Sequence, residues 1–90
     1  MKSAEILVNG KVQGVWFRNY VRKNANNLEL NGWVKNNPDR SVVLYVESED
    51  KVIKKLIEKI KIGSPLSKVE DVKVKWMSSK HKFNSFKIIR

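Results

Sequence analysis

The chain contains no cysteine and only one histidine, His81. The first absence excludes disulfides and thiolate metal centres. The second leaves too few imidazoles for a histidine-based cluster, so neither a metal nor another cofactor is expected. No apolar run is long enough to span a bilayer, and the opening stretch MKSAEILVNG lacks the long apolar segment of a secretory signal. A cytoplasmic protein without membrane attachment is the expectation. No internal period repeats, and 90 residues suffice for one small core but not for two, so a single domain over residues 1–90 is expected. Acidic residues are also scarce, 9 against 19 basic ones, giving a formal net charge of +10. Such a field attracts nucleic acid, an anionic surface or a small anionic substrate. Most of the 19 cations are lysines scattered along the whole chain, the pattern of a solvated surface rather than of an arginine-rich patch.

What is present alternates between two periods. AEILVNG is a short apolar run closed by Asn9-Gly10 and predicts a strand. From Phe17 the apolar positions Phe17, Tyr20, Val21, Ala25 and Leu28 recur every three or four residues, predicting an amphipathic helix that ends before Asn31-Gly32. GWVKNN and SVVLYVES read as two strands of a hairpin around the turn cluster Asn37-Pro38-Asp39-Arg40. Val52, Ile53, Leu56, Ile57 and Ile60 mark a second amphipathic helix, stopped by Gly63 and Pro65. KVEDVKVKWMS alternates Val72, Val74 and Trp76 with Lys73, Lys75 and Met77, a strand with one buried and one wet face, and FNSFKIIR offers a terminal edge strand. The order βαββαβ is the split βαβ, or ferredoxin-like, pattern of an α+β two-layer sandwich. It implies an antiparallel sheet with both helices on one face.

That architecture hosts many functions, so the site has to be found in the residues. The stretch GKVQGVWFRN, residues 10–19, joins the first strand to the first helix. Gly14 permits backbone conformations barred to other residues, and the first amides of a helix have no intrahelical partner. Amides pointing into one concavity form an anion nest, strengthened by the positive end of the helix dipole. A cation in the first helical turn is disfavoured by the same dipole, so Arg18 there calls for an anion such as phosphate, gripped by its guanidinium fork. The plain alternative is an ordinary turn, with Trp16 and Phe17 as core aromatics and Arg18 paired to a surface carboxylate.

GKVQGVWFR at 10–18, GWVKN at 32–36, GSP at 63–65 and the terminal FKI at 86–88 together resemble the acylphosphatase family over nearly the whole chain. The resemblance implies the split βαβ fold and hydrolysis of the carboxyl-phosphate bond of acyl phosphates without metal or cofactor. It places the substrate-binding arginine on Arg18 and the water-positioning asparagine on Asn36. The backbone amides of Gly14, Val15, Trp16, Phe17 and Arg18 would form the phosphate-binding loop. Two positions depart from the family pattern, which has glycine where this chain has Arg40 and Ser48. Arg40 implies a hairpin turn without a left-handed residue, and Ser48 is free to cap the second helix.

The residues fit those roles. The carboxylate of an acyl phosphate is a good leaving group, so positioning and charge stabilisation suffice, and no carboxylate or histidine lies in either motif to act as a base. Asn37 suits the turn before Pro38 better than Asn36 does. Trp16 is open between a wall of the acyl pocket and core packing. The implied partners are a small acyl phosphate and inorganic phosphate as product and competitive inhibitor. No specific nucleic acid, no membrane and a monomeric state are expected. The rival is a basic ferredoxin-like nucleic-acid-binding module, which needs aromatics on the central strands. The first strand has none, and the third has only Tyr45.

Overall fold

The computed structural model describes residues 1–79 and 81–90. The elements run β1 (Lys2–Lys11), α1 (Phe17–Asn27), β2 (Asn31–Asn36), β3 (Val42–Ser48), α2 (Asp50–Ile62), β4 (Lys68–Ser78) and β5 (Phe86–Ile88). They form one five-stranded sheet in the order β4-β1-β3-β2-β5. The pairs β1–β3, β1–β4 and β2–β3 are antiparallel, as the split βαβ pattern requires. The short β5 adds a parallel partner to β2, with Val34 opposite Ile88, which makes the sheet mixed.

Alternation along the strands sends Ala4, Ile6 and Val8 of β1 and Val42, Leu44 and Val46 of β3 to one face, all fully buried. Both helices cover that face. Phe17, Val21 and Ala25 of α1 and Ile53, Leu56 and Ile60 of α2 complete the core at the helical spacing read from the sequence. Each of these side chains, the alanines apart, contributes about 1.5–3 kcal/mol through the apolar surface it removes from water. Gly32 lets β2 and β3 approach: a Cβ there would collide with the Tyr45 carbonyl oxygen.

Four local expectations are corrected. Helix α1 stops at Asn27, a turn short of the expected end, because Glu29 adopts a left-handed φ of 60°. The amides of Glu29 and Leu30 then bond back to the carbonyls of Asn26 and Ala25, a Schellman closure without the usual glycine. Arg40 is left-handed after all, at φ 75°. The hairpin register demands it: Asn37 donates to the Ser41 carbonyl and Arg40 donates to the Asn37 carbonyl, and a turn of this length ends in a left-handed residue whatever its side chain. Ser48 remains in β3, and Glu49 is the N-cap of α2. Trp76 is exposed, because β4 is the sheet edge and its apolar side is only half covered at Val72 and Val74.

The other sheet face is not the open stacking platform of a nucleic-acid module. Tyr45 stacks with Trp33 at 6.2 Å between ring centroids and meets Phe83 at 5.6 Å. The buried Glu47 carboxylate accepts from the Tyr45 hydroxyl at 2.9 Å and from the backbone amides of Lys82 and Phe83 at 3.2 and 3.1 Å. These bonds hold the segment before β5 across the aromatic face.

Candidate active site

Between β1 and α1 the chain makes two left-handed steps, Gly14 at φ 70° and Trp16 at φ 61°. A side chain at Gly14 would meet nothing within 4 Å, so its glycine answers to backbone conformation and an open surface rather than to crowding. Trp16 is the N-cap of α1, where its side chain makes no capping hydrogen bond, and no acidic residue occupies the first turn. Among the described residues, none accepts a hydrogen bond from the backbone amides of Gly14, Val15, Trp16, Phe17 or Arg18. Unpaired amides and the positive end of the helix dipole therefore coincide.

These residues border a cleft of about 360 Å³ lined by Val12, Gly14, Trp16, Phe17, Arg18, Asn19 and Ile88. No carboxylate and no histidine is among them. The half-buried Arg18 side chain makes no hydrogen bond or ion pair with any described residue, so the carboxylate partner of the plain alternative is not there. Trp16 is 75 % exposed, which removes core packing as its role, whereas Phe17 is buried. Val15 turns its side chain into the core and does not line the cleft.

Asn36 is not among the cleft-lining residues either. It ends β2, on the same helix-facing side as Val34, whose parallel partner Ile88 does line the cleft. Its Oδ1 is buried, and no described group of the chain donates to it. A buried acceptor without a protein donor is uncommon and suits a bound water.

Two residues with no role expected from the sequence organise this region. The Gln13 side-chain nitrogen donates to the carbonyl oxygens of Asn37 and Ser41 at 2.9 and 2.8 Å, tying the loop to the hairpin. The Ser64 hydroxyl donates to the Val15 carbonyl at 3.2 Å, tying the loop to the turn after α2. GSP at 63–65 was the only signal for the second tie, and the first had none beyond its place in VQG. The hairpin is braced further by Asp39, which accepts from the Ser41 amide at 3.0 Å and from its hydroxyl. The Ser41 hydroxyl hydrogen bond, with the amide's behind it, holds the Asp39 carboxyl below its ordinary value of 3.8. Tyr20, donating to the Lys59 carbonyl at 2.7 Å, has its phenol pushed up by burial. No group of three or more histidine, aspartate or glutamate residues able to hold a metal occurs among the described residues, and no helix is long and apolar enough to cross a membrane.

Comparison with known proteins identifies the family and the fold. The acylphosphatase family model matches residues 4–88. An acylphosphatase of Pyrobaculum calidifontis is 42% identical over 87 residues, covering 96% of this chain and 79% of the relative. That of Bacillus subtilis is 38% identical over 89 residues, covering 99% of this chain and 98% of the relative. The crystal structure of acylphosphatase from Bacillus subtilis superimposes with a TM-score of 0.97 at 38% identity over 100% of both chains. Full-length HypF in its phosphate- and nucleotide-bound form matches with a TM-score of 0.90 at 33% identity, over 99% of this chain and 12% of that one.

Proposed function

The chain belongs to the acylphosphatase family, and on that basis we propose how its own residues hydrolyse the carboxyl-phosphate bond of an acyl phosphate. The unpaired Arg18 guanidinium beside uncapped amides in one cleft is the observation that carries the proposal. The amides of Gly14, Val15, Trp16, Phe17 and Arg18 receive the phosphoryl oxygens as the phosphate-binding loop, and the Arg18 fork neutralises their charge. Asn36 Oδ1 accepts a hydrogen bond from water and aims its oxygen at phosphorus; the buried, unpartnered state of that atom supports the role. As the new P–O bond forms, the bond from phosphorus to the bridging oxygen breaks, and its electron pair leaves with the carboxylate. The water proton passes to a phosphoryl oxygen, since the cleft offers no carboxylate or imidazole to take it.

The same reading makes inorganic phosphate a competitive inhibitor and the chain a monomeric, cytoplasmic domain without a catalytic metal. The nucleic-acid alternative is not favoured, because the sheet face it needs is crossed by the segment that Glu47 holds.

The test is hydrolysis of benzoyl phosphate in heavy-oxygen water, with a phosphate monoester as control. The expected result is label in phosphate and none in benzoate, no turnover of the monoester, and for Arg18→Gln a loss of turnover together with weaker phosphate inhibition. Label in benzoate, or an Arg18→Gln variant that binds phosphate as tightly as the parent, contradicts the proposal.

A further inference from the structure

Trp16 holds an exposed indole at a left-handed φ of 61°, a conformation that disfavours bulky side chains. It borders more than the phosphate cleft. It also lines a groove of about 310 Å³ whose apolar lining comes from Val15, Trp16, Tyr20, Pro65 and Leu66, with Lys23 among its polar residues. Leu66 is 68 % exposed, so two large apolar side chains from separate segments stand uncovered at this one place.

We propose that this groove is the acyl-group subsite, in which Trp16, Pro65 and Leu66 hold an extended or aromatic acyl chain while its phosphate occupies the adjoining cleft. The substrate class is then medium-chain or aryl acyl phosphates rather than acetyl phosphate. The inference rests on the acylphosphatase reading of the neighbouring loop. Its argument is continuity: Trp16 lines both spaces, so a ligand whose phosphate meets the loop amides passes along the indole into the groove. The buried hydrogen bond from Ser64 to the Val15 carbonyl fixes the two walls relative to each other, so the groove is formed before substrate arrives. The loop is tied at Gln13 to the hairpin that carries Asn36 and at Val15 to the turn that walls the groove.

The test is kcat/KM for straight-chain acyl phosphates from acetyl to octanoyl, whose carboxylate leaving groups differ little in basicity. It is measured for the parent, Trp16→Asn and Leu66→Ser, with the inhibition constant of inorganic phosphate alongside. Asparagine tolerates the left-handed backbone and keeps the amide of position 16. In the parent, kcat/KM rises about fourfold for each methylene the groove covers. Both substitutions flatten that slope by lowering the long substrates more than the short, while phosphate inhibition of the Leu66→Ser variant, which lies outside the phosphate loop, stays within about twofold of the parent's. A flat parent series, or a slope that survives both substitutions, overturns the subsite and leaves acyl phosphate hydrolysis standing. A flat series with self-association abolished by Leu66→Ser assigns the groove to a second copy and also overturns it. Failure to hydrolyse any acyl phosphate overturns the subsite and the acylphosphatase reading together.

Discussion

Gln13 and Asn37, 24 residues apart in sequence, are joined by a 2.9 Å hydrogen bond from the glutamine side-chain nitrogen to the asparagine carbonyl. The same nitrogen reaches the Ser41 carbonyl at 2.8 Å, so the loop before α1 and the strand end carrying Asn36 are held as one unit. Gln13→Ala removes both bonds, while the Asn37 and Ser41 carbonyls keep their backbone donors from Arg40 and Asn37, so the loss costs about 0.5–1.5 kcal/mol of stability. Turnover falls about tenfold, on the scale of a small misplacement of positioned groups. Gln13→Glu, which offers no donor when ionised, does not rescue it. Thermal melts and kcat of the two variants, compared with the phosphate inhibition constant, check this; unchanged kcat in folded Gln13→Ala contradicts it.

Anions that fit the loop stabilise the native chain by mass action. At 100 times its dissociation constant phosphate adds about 2.7 kcal/mol, which raises Tm by on the order of 10 °C for a chain of this size. Sulfate acts in the same direction, and Arg18→Gln diminishes the shift. A strong chelator leaves activity unchanged, and activity that chelation abolishes and added metal restores contradicts the account.

Asp39 gives the hairpin an acid-sensitive brace. Its folded carboxyl titrates below 3.8, mainly through the Ser41 hydroxyl hydrogen bond. A depressed carboxylate contributes stability above its unfolded value and loses it as pH falls through the folded one. The difference in Tm between the parent and Asp39→Asn is therefore present at neutral pH and shrinks as pH drops below about 4. A difference that stays constant down to the acid end of that range contradicts the assignment.

The four longer strands and both helices follow from residues whose spacing is periodic, whereas the parallel pairing of β5 with β2 does not. Phe17, Val21 and Ala25 announce a buried helical face, and Val42, Leu44 and Val46 a buried strand face, because burial itself is periodic. The ends of elements were less legible. Glu29 and Arg40 take left-handed conformations that sequence assigns to glycine, and the surrounding hydrogen bonds impose them. Bonds between distant segments leave no periodic trace, which is why Gln13 to the hairpin and Ser64 to Val15 went unanticipated. The motif alone lets Arg18 and Gly14 be proposed as an anion site. Only the fold shows that Arg18 has no carboxylate partner among the described residues and that Trp16 faces outward.

The central claim is that Asn36 aims the attacking water while Arg18 and the loop hold the phosphate. Steady-state hydrolysis of benzoyl phosphate by Asn36→Ala tests it most directly, with a melting curve to establish folding and the phosphate inhibition constant measured on the same sample. The account predicts a folded variant whose kcat is lower by about a hundredfold or more, the scale of a lost positioning hydrogen bond, and whose phosphate inhibition constant changes less than about threefold. A folded Asn36→Ala that keeps near-full turnover contradicts it.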